Sequence, residues 1–230
     1  MSTSSFPVSH FHDRNKPTEI ETENYSVWLK QTKQSYQNKK DAIVPCGDCR
    51  GCCTSGYFIH IKPEETKTLS KIPKALLFSA PGLPKGHVLL GFNEKGHCPL
   101  FVNNQCSIYA FRPQTCRKYD CRIYPATRFK VEDSKPLIAE QTQRWRFKFS
   151  SEQDLNDYQA VQRAAKFIQT HSHHFPKEFL PNHSVQLAVL AIKVYALFLL
   201  PTDNLPQDQS PSWIEKRVAL IVAKCRKSNL

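Results

Sequence analysis

The residues best able to do chemistry lie in one short stretch, Pro45-Cys46-Gly47-Asp48-Cys49-Arg50-Gly51-Cys52-Cys53, where four of the nine cysteines are spaced C-x-x-C-x-x-C-C. Four more follow at Cys98, Cys106, Cys116 and Cys121. Free thiols crowded into loops are open to oxidation, so this density implies that the sulfurs are committed to a metal, an iron–sulfur cluster or disulfides. Two thiolates separated by two residues converge on one ion from a tight turn. Gly47 and Gly51 help by tolerating positive φ and by exposing amides to sulfur. The repeated C-x-x-C-x-x-C also has the opening spacing of ferredoxin-type cluster ligation. In the Cys52-Cys53 doublet, neighbouring side chains point apart, so the two sulfurs are expected to serve two nearby sites or one polynuclear site. All-thiolate ligation suits zinc or iron rather than magnesium or calcium. Spacing does not separate zinc from iron, nor does it say which cysteines share a metal.

The expected ligand set is therefore Cys46, Cys49, Cys52, Cys53, Cys98, Cys106, Cys116 and Cys121. His97 is read as a surface or packing residue, and His171, His173 and His174 as a solvated patch at a helix end. Cys225 reads as an isolated packed thiol on the last helix. The stretch Met1 to Pro7 lacks the basic and apolar regions of a secretory signal, so a cytoplasmic location is expected. In that reducing compartment clustered cysteines bind metal more often than they pair as disulfides. The formal charge of +12 resembles a nucleic-acid signature. Eight thiolates with two divalent ions would lower it by about four charges, so part of the excess can balance the site itself. The remainder is compatible with nucleic acid as partner without favouring it.

These thiols need elements to position them. Residues 1–16 read as a flexible lead-in. Thr18 and Glu21 have capping-box spacing, which predicts a helix carrying Ile20, Tyr25, Trp28 and Leu29 and running to about Lys40. Tyr57 to Ile61 and His87 to Phe92 read as strands, with a short helix from Pro63 to Ser70 and an irregular loop over 72–86 between them. Arg144-Trp-Arg-Phe-Lys-Phe149 alternates base and aromatic, which in a strand puts Trp145, Phe147 and Phe149 on one, core-facing side. Capping boxes at Ser150 and Ser212, and an apolar run from Ser184 to Leu200, predict three C-terminal helices. With Lys193 in its interior and a marginal length, the apolar run is expected to be a buried helix rather than a membrane span. The fold class expected is α+β: a small, loop-rich cysteine- and metal-centred half with short strands (17–149), packed as one unit against a largely helical C-terminal half (150–230).

Taken together, Cys46-x-x-Cys49-x-x-Cys52-Cys53, Gly96-His97-Cys98-Pro99-Leu100-Phe101, Cys106-Ser107-Ile108-Tyr109 and Arg112-Pro113-Gln114-Thr115-Cys116-Arg117-Lys118-Tyr119-Asp120-Cys121 resemble the YkgJ-like CxxCxxCC family, a mainly bacterial group described as a zinc- or iron-chelating domain. The resemblance covers about residues 45–128. It implies a zinc or iron cofactor, with an iron–sulfur cluster as one form. Many relatives carry Phe-Pro after the final Cys-Arg, and the departure at Asp120-Cys121-Arg122 implies room for an added ligand. The family also includes flagellin lysine N-methylase-like members. That leaves open an iron–sulfur enzyme acting in methyl transfer or redox chemistry, although no glycine-rich S-adenosylmethionine fingerprint follows a strand and no C-x-x-x-C-x-x-C motif is present. A basic zinc module binding nucleic acid is a third alternative. Arg112, Arg117 and Tyr119 are expected to stand behind the thiolates, their donors steadying the concentrated negative charge.

Overall fold

The computed structural model describes residues 18–37, 39–79, 82–199 and 210–227. The expected lead-in at 1–16 and Leu200 lie outside the described residues.

The chain opens as strand β1 (Ile20–Asn24), which turns directly into helix α1 (Tyr25–Tyr36). The helix expected from Thr18 is therefore corrected: its first turn is a strand, because β7 (Trp145–Lys148) offers it a parallel ladder with Ile20 opposite Trp145 and Glu21 opposite Arg146. Glu21, which suggested a cap, instead pairs across the ladder with Lys148 at 2.9 Å, as its neighbour Glu19 does with Arg146 at 2.8 Å. Thr18 gives its carbonyl, not its hydroxyl, to the Arg144 guanidinium. Tertiary pairing outweighs a local capping pattern here. From Tyr25 onward the helical spacing holds, with Tyr25, Trp28, Leu29 and Thr32 buried on one face. Gln37 caps the helix, short of the expected Lys40.

Beyond the first cysteines comes a small three-stranded sheet of order β2 (Ile59–Ile61), β4 (Val88–Leu90), β3 (Leu77–Phe78), all antiparallel. The short helix α2 (Thr66–Leu69) begins three residues later than expected, and β3 falls within the stretch read as irregular. Hairpin β5 (Phe101–Val102) and β6 (Gln105–Cys106) turns through Asn103 and Asn104, both in the left-handed region that Asn tolerates well. Three helices follow: α3 (Gln114–Lys118), α4 (Ile123–Thr127) and α5 (Pro136–Arg144). Sequence patterning showed none of them as helices, since each is too short for apolar periodicity to register clearly.

The C-terminal half is built from α6 (Glu152–Thr170), α7 (Ser184–Val194) with a following 3-10 turn, and α8 (Pro211–Lys227). The box that opens α6 is Ser151 with Asp154, one residue later than expected. Asp154 also accepts from the Ser26 amide at 2.9 Å and hydroxyl at 2.6 Å, so one carboxylate ties the starts of α1 and α6 together. Ala160, Ala164 and Ala165 are fully buried and keep α6 slim where α1, α4 and α7 pack against it. Before α8, Ser210 rather than Ser212 receives the Trp213 amide. Lys193, near the end of α7, is half-buried, its Nζ 5.9 Å from the centre of the Tyr36 ring. Among the described residues no helix is long and apolar enough to cross a membrane.

Two apolar clusters result. The larger runs from Tyr25, Trp28 and Leu29 through Ile123, Tyr124 and Trp145 into α6, α7 and α8. The smaller consists of Ile59, Ile61, Ile72, Leu90 and Leu100 beneath the three-stranded sheet. The architecture is α+β with a helical C-terminal half, as expected.

Candidate metal centre

The C-x-x-C-x-x-C-C stretch is shaped by two tight turns and one close contact. Gly47 occupies φ +53°, and the Cys49 amide returns to the Cys46 carbonyl at 3.0 Å. The second turn, a 3-10 turn over Gly51–Cys53, brings the Cys53 amide to the Arg50 carbonyl at 2.9 Å. Gly51 lies against α5, where a Cβ would meet Ile138 Cγ1 at 3.0 Å and the Ile138 amide nitrogen at 3.3 Å, so any larger residue would need the start of α5 to give by a few tenths of an ångström. The second cysteine group folds back over the first: the Cys98 amide donates to the Cys53 carbonyl at 2.8 Å. Arg50 fastens the lid, its Nε on the Asn104 carbonyl of the β5–β6 turn and its NH1 on the carbonyls of Gly47 and Cys49.

The eight thiols divide into two neighbourhoods. The charges that act on Cys52 are those of Cys121, Cys46 and Cys49, and then of its chain neighbour Cys53. Cys121 feels Cys46 and Cys49 in turn. Cys53, by contrast, feels Cys106 and Cys98 ahead of Cys49, and Cys116 feels Cys98, Cys53 and Cys106. These mutual influences group Cys46, Cys49, Cys52 and Cys121 (set one) and Cys53, Cys98, Cys106 and Cys116 (set two), with Cys49 also acting on Cys53 and Cys53 on Cys52. The doublet contributes one cysteine to each group. Among the described residues no three His, Cys, Asp or Glu side chains are gathered closely enough to hold a metal ion, so the thiols lie near one another without forming a coordination sphere.

Their electrostatics are those of crowded, partly dehydrated sulfur. Burial pushes Cys116 and Cys121 up to about 12 and Cys53 up to about 11, with the neighbouring thiols adding to each shift. Cys46 and Cys98 are raised by burial too. Cys52 keeps solvent access at the turn surface, yet protein crowds its sulfur on most sides, and its pKa is raised well above the ordinary thiol value. The donor set fits zinc or iron: metal binding to thiols releases their protons, and a cation relieves the repulsion that holds these values high.

The groups expected behind the thiolates divide as well. Arg112 lowers the Cys116 pKa while its guanidinium lies 4.2 Å from the Tyr109 ring centre. Tyr119 is raised by burial and then by Cys52, and its hydroxyl sits 3.4 Å from that of Tyr57. Arg117 turns to Asp41, at 3.5 Å. Three contributors escaped sequence reasoning. Trp145, read as a core aromatic, also donates its indole N–H to Cys121 Sγ at 3.2 Å. Arg50 and Arg122 both act to lower the Cys46 pKa. For Arg50 the available signal was a base inside the cysteine motif; for Trp145 and Arg122 it was only proximity in space.

The Asp120-Cys121-Arg122 departure has a structural account. Buried Arg122 forms a 2.8 Å ion pair with buried Asp120 and another with the partly exposed Glu23, and reaches the Ile43 carbonyl. Asp120 also accepts from Trp28 Nε1 at 2.9 Å. The carboxylate is spent on these donors, so Cys121 is pinned between two anchored neighbours. His97 stacks edge-on with Phe101 at 5.9 Å, a packing role. His173 and His174 pack at 4.2 Å beside His171 at the end of α6, away from the thiols in sequence and in elements. Cys225 is buried in the large apolar cluster.

Residues 45–146 match the family model described as "CxxCxxCC: Putative zinc- or iron-chelating domain". All eight clustered cysteines lie within the match, and α6 to α8 lie beyond it. Comparison with curated proteins and with solved structures gave no match.

Proposed function

We propose that this chain is a soft-metal protein with two four-thiolate sites: Cys46, Cys49, Cys52 and Cys121 hold one metal, and Cys53, Cys98, Cys106 and Cys116 hold the other. One observation supports this reading: beyond burial, Cys52 and Cys121 are influenced chiefly by Cys46, Cys49 and each other or Asp120, whereas Cys53 and Cys116 are influenced chiefly by Cys98 and Cys106. Arg50 and Arg122 beside Cys46, Trp145 on Cys121 and Arg112 near Cys116 would offset the thiolate charge once protons leave. Zinc bound this way would be structural, since four protein ligands leave no open position. Iron in the same sets would add redox chemistry. The reading assumes a reducing compartment such as the cytoplasm, where the thiols stay available.

The test is elemental analysis with an absorption spectrum on anaerobically purified protein. Two metals per chain are expected, colourless if zinc and coloured by sulfur-to-iron charge transfer if iron. Cys52→Ser should lose one metal and Cys53→Ser the other. A single metal per chain in the parent protein, or loss of both from each variant, would show that the two-set division is wrong and favour one polynuclear centre.

A further inference from the structure

Beside set two lies an open cleft of about 550 Å³ between α2 and α3. Its walls bring together Lys62 at the end of β2, Lys67 on α2, and Arg112 and Arg117 on either side of Cys116. Two carboxylates share the lining, Glu64 and Glu65. Glu65 is already spent on the backbone, its Oε1 accepting from the Lys62 amide at 3.0 Å and its Oε2 from the Gln114 amide at 2.6 Å. It therefore holds the two walls in register. Arg117 has a buried Nε with no hydrogen-bond partner among the described residues, and its contact to Asp41, at 3.5 Å, is longer than an ordinary charge-assisted hydrogen bond. A buried donor without an acceptor costs free energy, which a ligand oxygen would recover.

We infer that this cleft binds a small phosphomonoester, its phosphate held by Arg117, Arg112 and Lys62 and its organic body laid along Phe111. Guanidinium forks match the oxygen spacing of phosphate, and a lysine on the facing wall supplies a point charge. Thr66 and Gln114 line the same space and add neutral hydrogen-bonding groups. The volume is far larger than a bare phosphate needs and falls in the range of small-ligand sites. Phe111, 42% exposed, gives the one large aromatic surface in the lining.

Calorimetric titration of the metal-loaded protein tests this with two probes, inorganic phosphate and adenosine 5′-monophosphate. One saturable site per chain is expected, with the ester tighter than phosphate. Lys62→Met and Arg117→Gln should each weaken binding of the ester by about tenfold or more. Because Arg117 neighbours Cys116, Lys62→Met on the opposite wall decides if Arg117→Gln disturbs the fold. Arg128→Gln, at a separate cleft beside α6, should bind as the parent does. No saturable binding of either probe, equal affinity for both, or equal weakening by Arg128→Gln would overturn the inference. Metal content measured on the same samples separates that failure from failure of the two-set reading.

Discussion

The two thiol sets are anchored in different material. Cys121 of set one is buried in the large apolar cluster, between the anchored Asp120 and Arg122 and under the Trp145 indole. Cys98 and Cys116 of set two pack only against the edge of the small cluster of Ile59, Ile61, Ile72, Leu90 and Leu100. Helices α6 to α8 bury whole faces of Ala, Val, Ile and Phe, whereas the β2–β4 sheet has short strands and a thin core. A region with so few buried side chains has little hydrophobic stabilisation to set against chain entropy, and cross-linking by metal is the usual remedy. The helical half needs no such help. The comparison teaches that this protein is stabilised unevenly, and that its metal-dependent part should be separable from its metal-independent part.

The sharpest way to break that contrast is to remove the metal. Structural zinc is worth on the order of 10 kcal/mol, so a strong chelator, or Cys116→Ser, should collapse hydrogen-exchange protection in β2 and β4. Amides of α6 should stay protected; uniform loss across both regions would mean a single cooperative unit. Next in size is Arg122→Met, which leaves Asp120 charged and buried. It should cost about 3–5 kcal/mol by urea denaturation, with much of that recovered when Asp120→Asn is added. This loss should fall on the large cluster and on set one, leaving set two loaded.

Asp154→Ala removes the α6 cap and both Ser26 contacts, and should cost about 2 kcal/mol in the helical half with metal content unchanged. Its carboxyl is held well below the usual range, chiefly by the Ser26 hydroxyl, with burial opposing. A lowered folded pKa means the contribution is present above the unfolded value, near about 4, and is lost as pH falls below it. The parent should therefore lose stability between about pH 4 and 2 more steeply than the variant. Smallest is Cys225→Ser, which places a hydroxyl in the apolar cluster at a cost of about 1 kcal/mol, and should leave both metals in place.

Much of the candidate site was legible because its signal is local. Eight cysteines at motif spacing announce a soft-metal centre without any fold, and the doublet alone implies that the two sulfurs part company. The strands at Ile59 and Val88 and the helices α6 and α7 were also readable, since side-chain period or apolar density declares them. The β1 strand was not: Thr18 and Glu21 carry a valid helix-start pattern, and only a partner strand more than a hundred residues away, with Arg146 and Lys148 to receive the glutamates, overrules it. Helices α3 to α5 escaped because one or two turns show no period.

By itself, then, the sequence determines the chemistry: thiols, their clustering, the metal class they suit and the helical character of the last third. These follow from residue type and short-range spacing, which need no knowledge of distant contacts. Tertiary structure decided which thiols lie near one another. The proposed grouping of Cys121 with Cys46, Cys49 and Cys52, and of Cys53 with the later thiols, depends on how residues 98–121 fold back over the first motif. So do the Trp145 indole on Cys121 and the buried Asp120–Arg122 pair beside it. Contacts between residues far apart in the chain are set by packing and charge pairing of whole elements, and spacing along a sequence does not encode them.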